Sequence, residues 1–344
     1  MFWYIGVTSL LAFLLSFFGC KLAINIFSKK KIFDEPNLRS SHSKATPIGA
    51  GIVIIFIILL YIFLYTLFKF LIYNDFNVSN LFIFIIVFTL AYISWKDDLN
   101  RVSRIFRIFF HILAATIGIN CLSDPGLVFQ GILPTSLDIL LTIILWVWII
   151  NLTNFMDGID GITGAGSIFT FFGSLIIFLI IGQSLEFSNN SFITTFLLII
   201  TFSLLGFLFW NWYPAKIFLG DVGSIPIGFL IGWIIFELAI IELWHVSFLL
   251  PMYYFFDSTL TLLNRIIRKE KIFDPHRNHF YQKISQIYKH SRVVIYISLL
   301  NTSLVILSIL GTLNNQIKDI VILIGVILTS LMILIFQIAS KRYK

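Results

Sequence analysis

The carboxylates of this sequence are concentrated in three short motifs. Asp97 and Asp98 lie in SWKDDLNRVSR, Asp157 and Asp160 lie in NLTNFMDGIDGITG, and Asp221 lies in NWYPAKIFLGDVGS. Two like charges about 4 Å apart repel by about 4 kcal/mol at an effective dielectric constant of about 20. Carboxylates gathered in one place therefore require a cation, and oxygen ligands without a set of Cys and His residues favour a hard ion. The motifs predict a Mg²⁺ site, with Mn²⁺ as the alternative ion.

Small residues stand where three apolar segments begin, close to these motifs. They are Pro47, Gly49 and Gly51, then Gly158, Gly161 and Gly164, and finally Gly220, Gly223 and Ser224. Helix N-termini bind anions through free N–H groups, and small residues let a phosphate approach the backbone. A later basic loop, DPHRNHFYQ, carries His276, Arg277 and His279. Metal-binding acids, phosphate-binding helix starts and a cationic loop are the parts that phosphoryl transfer uses.

A sixth carboxylate, Asp257, lies inside the apolar segment LLPMYYFFDSTLTLLNR, just before that basic loop. Acidic residues at bilayer depth are costly and usually mark a functional path or a pair. Asp138, Glu237 and Glu242 are predicted to lie near the opposite face, isolated from one another and from the motifs. The polar motifs are therefore expected to converge on one face of the molecule.

Composition identifies the elements that must position these groups. Of the 344 residues, 58% are hydrophobic and 12% are charged, with a mean hydropathy of +0.96, whereas about a quarter of the residues of a soluble domain are charged. The sequence predicts an all-α, polytopic membrane helical bundle forming a single domain over residues 1–344. Its net charge of +7 is attributed to basic loops facing anionic lipid, not to nucleic-acid binding. Cys20 and Cys121 show no metal or redox spacing.

About eleven segments are long and apolar enough to cross a bilayer, which takes roughly 20 residues, and the third and fifth look short. Their predicted starts are Phe2, Ile48, Leu81, Ile105, Leu137, Gly164, Phe192, Ile225, Val246, Val293 and Ile320. All but Lys69 and Lys318 of the 24 basic residues then fall on one side. Because cytoplasmic loops are enriched in Lys and Arg, this predicts an N-terminus outside and a C-terminus inside.

In this orientation the predicted catalytic loops are all cytoplasmic. They lie at about residues 28–47, 95–104, 152–164, 211–224 and 264–292.

Four histidines outside the basic motif are interpreted as structural or interfacial because no partner stands at a fixed spacing from them. These are His42, His111, His245 and His290.

The ordered motifs resemble those of the polyprenyl-phosphate N-acetylhexosamine-1-phosphate transferases, which form glycosyltransferase family 4. The matching strings are HSKATPIGAG, KDDLNRVS, NLTNFMDGIDG, NWYPAKIFLGDVGS, DSTLTLLNR and PHRNHFYQ, in the family's order. This family includes the muramoyl-pentapeptide translocase of peptidoglycan synthesis and the initiators of O-antigen and teichoic-acid assembly. The resemblance implies transfer of a sugar-1-phosphate from a UDP-sugar to a polyprenyl phosphate.

The resemblance also implies roles for individual residues. It makes Asp221 the principal Mg²⁺ ligand, places Asp97 and Asp98 at the lipid-phosphate and metal end with Asp98 as a second ligand, and assigns the diphosphate to His276 and Arg277, beside His279. The expected substrate-binding residues are Lys44, Asn154, Asp157, Asp160, Asn211, Phe218, Gly220 and Ser224, and Phe218 is suited to stacking on uracil.

The last motif narrows the expected product. The translocase subgroup has three histidines there, whereas HRNHFYQ is similar to the subgroup that starts O-antigen chains of lipopolysaccharide. The implied partners are a UDP-N-acetylhexosamine, undecaprenyl phosphate and the bacterial inner membrane, with a homodimer suggested by the family. UDP-N-acetylglucosamine, N-acetylfucosamine and N-acetylquinovosamine donors all stay open, since small sugar differences depend on a few pocket contacts.

Two other classes of protein and two reaction routes compete with this interpretation. A transporter would carry ions along acids at bilayer depth, but the acids cluster at one face and no internal repeat is visible. A scaffold for a cell-surface assembly complex would not need Asp221. Within the enzyme hypothesis, direct attack by the lipid phosphate competes with a covalent aspartyl-phosphate route through Asp97 or Asp98.

Overall fold

The described part of the chain is almost entirely helical, because a helix satisfies every backbone polar group of an apolar segment without water. The computed structural model describes residues 2–36, 41, 44–123, 127–182, 190–271 and 276–342. Its helices are α1 (Phe2–Lys29), α2 (Gly51–Tyr73), α3 (Val78–Asn100), α4 (Arg104–Ile119), α5 (Thr135–Phe155), α6 (Ile162–Gly182), α7 (Asn190–Asn211), α8 (Asp221–Ile240), α9 (Trp244–Leu249), α10 (Met252–Ile267), α11 (Phe280–Ser285), α12 (His290–Leu313) and α13 (Lys318–Arg342), with a 3-10 turn at Asn315–Ile317.

The β-structure of the described residues consists of two strands of two residues each and one isolated parallel bridge between Ile48 and Phe218. β1 (Phe33–Asp34) pairs antiparallel with β2 (Thr46–Pro47), with Phe33 opposite Pro47 and Asp34 opposite Thr46. This ladder closes the loop between α1 and α2. The predicted all-α class is confirmed. His42 lies outside the described residues.

All eleven predicted segments form helices, and nine helices of the described chain are long and apolar enough to cross a membrane. The exceptions are the fourth and ninth segments. Helix α4 has 16 residues, or about 24 Å at 1.5 Å per residue, against a hydrocarbon core of about 30 Å. The ninth segment is divided into α9 and α10 next to Pro251, which precedes Met252 as the N-cap of α10 and has no N–H to continue a helix. The third and fifth segments, expected to be short, have 23 and 21 residues.

Helix α8 forms the centre of the bundle, with 94% of its most apolar window buried. Gly228 and Gly232 let α5 approach closely, since a Cβ atom at Gly228 would lie 2.9 Å from the Cα atom of Ile150. At this contact the indole of Trp146 donates a hydrogen bond to the carbonyl oxygen of Phe229 over 3.0 Å and stacks on its ring. The helix that begins at Asp221 is thus held on several sides by other helices.

Two of the acids assigned to the opposite end of the bundle, Asp138 and Glu237, accept hydrogen bonds from loops there. Asp138, near the start of α5, accepts hydrogen bonds from the N–H groups of Val128 and Phe129 over 3.1 and 2.8 Å. Glu237, near the end of α8, accepts from the N–H of Ser123 and the indole of Trp233. Buried carboxylates need such donors, and here they fix loops between helices.

Two of the remaining histidines have local packing partners. His111 of α4 lies 3.3 Å from the side-chain amide of Asn151 in α5, and His245 of α9 lies 3.2 Å from the hydroxyl of Thr312 in α12. Both rings are buried between helices. This placement agrees with the structural role expected for them.

Candidate active site

The last turn of α3 joins the starts of α4 and α8. Asp97 accepts a 2.6 Å hydrogen bond from the N–H of Val102 and forms an ion pair with Arg107 in the first turn of α4. Asp98 turns the other way, and its two oxygens accept from the N–H groups of Asp221 and Val222, each over 3.0 Å. Adjacent residues of a helix point about 100° apart. Asp97 therefore contacts the start of α4, and Asp98 contacts the start of α8.

Asp221 is the first residue of α8 and is contacted by two other helices. Its Oδ1 atom accepts a 2.7 Å hydrogen bond from the side-chain amide of Asn154, and its Oδ2 atom lies 3.0 Å from Nη1 of Arg107. The same Asn154 nitrogen lies 2.9 Å from the hydroxyl oxygen of Ser224. The side chain of Asp221 is 28% exposed against 11% for Asp97, so Asp221 is the more accessible of the two acids.

The backbone before α8 is fixed by the backbone before α2. The N–H of Phe218 donates to the carbonyl oxygen of Pro47, and the N–H groups of Gly49 and Ala50 both donate to the carbonyl oxygen of Phe218. Gly220 has a φ of +77°, and a Cβ atom there would lie 2.8 Å from an oxygen of Asp98. Only glycine adopts this conformation without strain, so Gly220 lets Asp98 reach the helix start.

A second group of polar residues ties the loop after α5 to the loop after α7. Asn211 accepts from the N–H of Gly161 and donates to the carbonyl oxygen of Ile217, each over 2.9 Å. Asp160 accepts from the N–H of Ala215 over 2.9 Å and lies 3.3 Å from Nδ1 of His290. The two loops are thereby held at a fixed separation beside the start of α8.

Asp157 lies in the same loop, next to these ties. The pKa of its carboxyl group is raised from 3.8 to about 7, chiefly by burial and in part by the charges of Asp221 and Asp160, while an interaction with Thr163 opposes the rise. Desolvation and like charges both disfavour the ionised form of a carboxyl group. Asp157 is thus a protonatable group at near-neutral pH.

Asp257 anchors the basic loop to the bundle. It is buried and accepts from the N–H groups of Phe280 and Tyr281 and from Nδ1 of His279, over 3.0 to 3.1 Å. The hydroxyl of Tyr281 in turn donates to the carbonyl oxygen of Phe155 at the end of α5 over 2.8 Å. The loop is therefore connected to the same helix end that carries Asn154.

Comparison with known proteins shows which family this chain is similar to. A model of glycosyl transferase family 4 matches residues 80–239, which include Asp97, Asp98, Asn154 and Asp221. A probable undecaprenyl-phosphate N-acetylglucosaminyl 1-phosphate transferase of Bacillus subtilis is 30% identical over 46% of this chain and 44% of its own length. A phospho-N-acetylmuramoyl-pentapeptide-transferase of Nautilia profundicola is 31% identical over 40% of this chain and 43% of its own.

A phospho-N-acetylmuramoyl-pentapeptide-transferase of Helicobacter pylori aligns more widely, at 26% identity over 81% of this chain and 86% of its own length. The family model covers just under half of the chain, and with these relatives it supports the glycosyltransferase family 4 predicted from the motifs. The stronger matches to the first two relatives span less than half of their length.

The structure brings three of the six predicted catalytic residues together. Asp97, Asp98 and Asp221 meet at one end of α3 and α8, with Asn154 and Ser224 beside them. His276 stacks on His279 with ring centroids 5.1 Å apart. Arg277 follows His276 and is half-buried. The catalytic roles of these residues stay predictions.

The expected substrate-binding residues differ in their burial and in the partners that they already have. Asn211 is buried, and both ends of its amide are bonded to backbone atoms, so in this structure it holds loops together. Lys44 is exposed, Phe218 is half-buried, and Asp160 bonds to Ala215 and His290. The N–H groups of Gly49 and Gly51, expected to face a phosphate, already donate to Phe218 and Leu219.

The donor set fits a hard divalent ion that also takes ligands from a substrate. Among the described residues no three His, Cys, Asp or Glu side chains gather as a metal cage. Mg²⁺, however, is usually bound by one or two carboxylates plus substrate phosphates. Asp97 and Asp221 offer such a pair, because one nitrogen of Arg107 contacts both. Asp98 stays a predicted ligand, although here its oxygens accept from two backbone N–H groups.

Two residues of the site were missed from the sequence. Arg107 was counted only as one of the basic residues of a loop, and His290 was interpreted as having no identifiable partner. Arg107 lies 10 residues after Asp97 and 114 before Asp221, and His290 lies 130 residues after Asp160. Of the two, only Arg107 could have been found from the sequence. It lies one helical turn after Ser103, which caps α4, and is therefore at the end of α4 that meets the site.

Proposed function

We propose that this chain transfers N-acetylhexosamine-1-phosphate from a UDP-sugar to undecaprenyl phosphate and releases UMP. The observation that carries the proposal is the convergence of Asp97, Asn154 and Asp221 from three membrane-spanning or adjoining helices at one helix start. The name of the Bacillus subtilis relative supports the same acceptor lipid, and both names support the same class of sugar phosphate. A site at the end of apolar helices can meet both a lipid phosphate and a water-soluble nucleotide.

The proposed reaction is a displacement at phosphorus. An oxygen of the lipid phosphate attacks the sugar-bearing phosphorus of the UDP-sugar, a new P–O–P bond forms, and the bond to the UMP oxygen breaks. A phosphate monoester is largely dianionic at pH 7, with a second pKa near 6, so no strong base is needed. Asp97 orients this oxygen or removes its residual proton. Retention of configuration at phosphorus would instead favour the covalent aspartyl-phosphate route.

The bound Mg²⁺ would neutralise charge on the pyrophosphate. Asp221, as the more exposed acid, would hold it, and Asn154 would fix the orientation of the Asp221 carboxylate through their 2.7 Å hydrogen bond. His276 and Arg277 would contact the diphosphate from the basic loop. Asp257 would keep that loop in place through its bonds to Phe280 and Tyr281.

The proposed product starts an O-antigen or related cell-surface polysaccharide. The HRNHFYQ sequence supports this choice over a muramoyl-pentapeptide donor, while the long Helicobacter pylori alignment keeps the muramoyl donor, and the teichoic-acid initiators, as alternatives. The site is proposed to face the cytoplasm of a bacterial inner membrane, since nearly all basic residues fall on that side. A homodimer is proposed from the family resemblance alone.

A donor scan tests the proposal. Purified protein is mixed with undecaprenyl phosphate, MgCl₂ and labelled UDP-N-acetylglucosamine, its fucosamine and quinovosamine analogues, or UDP-N-acetylmuramoyl-pentapeptide. We expect lipid-linked product and UMP from an N-acetylhexosamine donor, none in EDTA, and none from the Asp221→Ala variant. Asp319→Ala, an exposed acid at the start of α13, is the matched control and should stay active. Product from the pentapeptide donor alone would reassign the subgroup, and no product from any donor would refute the proposal.

A further inference from the structure

A single nitrogen atom of Arg107 lies between two of the acids. Nη1 contacts Oδ2 of Asp97 and lies 3.0 Å from Oδ2 of Asp221. Since each contact is a hydrogen-bonded ion pair, the two carboxylate oxygens are within about 6 Å of each other. The side chains are 28% exposed for Arg107, 11% for Asp97 and 28% for Asp221, so water and ions can reach the group.

That nitrogen lies where a divalent ion shared by the two acids would lie. Mg²⁺ binds oxygen at about 2.0–2.1 Å, so two oxygens bound to one ion are at most about 4 Å apart. The carboxylates would need to close by an ångström or two, and the guanidinium group would have to leave. Arginine keeps its charge at every accessible pH. The guanidinium and a divalent ion therefore exclude each other by both size and charge.

We propose that Arg107 is an internal counterion that holds Asp97 and Asp221 together without metal and withdraws from them when a divalent ion binds. The inference rests on the metal site of the proposed function. Arg107 is in the first turn of α4 and is partly exposed, so its long side chain has room to turn toward solvent. Each oxygen of Asp98 accepts instead from a backbone N–H group at the start of α8. Arg107 is thus a positioning residue whose removal strengthens metal binding.

Metal binding without substrate tests this exchange directly. Purified protein is titrated with Mn²⁺, and free Mn²⁺ is measured by electron paramagnetic resonance, for the unmodified protein and for Arg107→Gln, Arg107→Lys and Arg104→Gln. Arg104 is the exposed first residue of α4, so Arg104→Gln removes the same charge less than one turn away. We expect Arg107→Gln to bind Mn²⁺ on the order of tenfold more tightly, the effect of about one competing interaction, and the other two variants to change by less than about twofold.

Thermal unfolding supplies a second measurement. In EDTA the Arg107→Gln variant should melt below the unmodified protein, because two neighbouring carboxylates lose their counterion, and Mn²⁺ should raise its melting temperature by more. A loss of fold alone cannot tighten a metal site, so the two results together separate exchange from damage. Unchanged or weaker Mn²⁺ binding by Arg107→Gln, or an equal gain in Arg104→Gln, would overturn the inference.

The outcome is independent of the transferase assay. If the unmodified protein makes no lipid-linked sugar but Arg107→Gln binds Mn²⁺ more tightly, the proposed function fails and the exchange stands. If the protein is an active transferase and Arg107→Gln binds Mn²⁺ no more tightly, the exchange fails and the function stands. Absence of Mn²⁺ binding by both proteins overturns the exchange as well.

Discussion

Replacement of Asp98 by alanine should destabilise the protein even without a metal ion. The two oxygens of Asp98 accept from the first N–H groups of α8, those of Asp221 and Val222, each over 3.0 Å. A buried N–H group left without an acceptor lowers the free energy of unfolding by about 1–3 kcal/mol. The lower value applies here because the site is partly exposed to water. Two such groups give about 2 kcal/mol, in line with about 0.5–2 kcal/mol for the loss of an ordinary helix cap.

The assay is thermal unfolding in detergent micelles, first in EDTA and then in saturating MgCl₂. We expect Asp98→Ala to lower the free energy of unfolding by about 2 kcal/mol in EDTA, and Asp98→Asn, which keeps one acceptor oxygen, to cause a smaller loss. Asp75→Ala is the control, since Asp75 is an exposed acid between α2 and α3. A purely metal-binding Asp98 would instead leave stability in EDTA unchanged and abolish only the gain from Mg²⁺. That result would refute the capping role.

Three further predictions follow from the buried contacts. Asp257→Ala should lower the free energy of unfolding by about 3 kcal/mol or more, because His279 and two backbone N–H groups lose their acceptor. Limited proteolysis should then cut the basic loop faster, and unchanged cleavage would contradict the role of Asp257 as an anchor. Gly51→Ala should destabilise far more than Gly6→Ala, because its new Cβ would meet backbone atoms of Gly223 at 2.3 Å whereas Gly6 has open space, and equal melting temperatures would argue against that contact. In EDTA, stability should fall between pH 4 and 7, because Asp157 has a pKa of about 7 when folded against 3.8 ordinarily and the folded state there holds the extra proton; Asp157→Asn should flatten this slope, and an identical slope would refute the shift.

The helices could be predicted from the sequence because each apolar run carries its own signal. Length and hydropathy locate a membrane helix wherever it packs, and every predicted segment became a helix. The short α4 and the division between α9 and α10 depend on neighbours and on one proline. Asp257 illustrates the limit, since its place in an apolar run predicted importance but not that it would accept from Phe280 and Tyr281.

The motifs of the site could be predicted, but the bonds between them could not. Asp97 and Asp98 are adjacent in sequence and look equivalent, yet the helix turns one toward Arg107 and the other toward the start of α8. Which of them faces Asp221 is decided by the angle between α3 and α8, which is set by packing across more than 120 residues. The pairing of Asp160 with His290 also depends on packing between distant segments, so it could not be predicted from the sequence.

The fate of the sugar-bearing phosphate tests the central claim most directly. The protein is given undecaprenyl phosphate, Mg²⁺ and the UDP-N-acetylhexosamine that the donor scan identifies, labelled with ³²P at the phosphate attached to the sugar. Sugar-1-phosphate transfer predicts that the label moves to the lipid, one UMP appears for each lipid-linked sugar, and Asp221→Ala stops both. Label that stays in the water-soluble nucleotide while the sugar reaches the lipid, or full activity of that variant, would contradict the account.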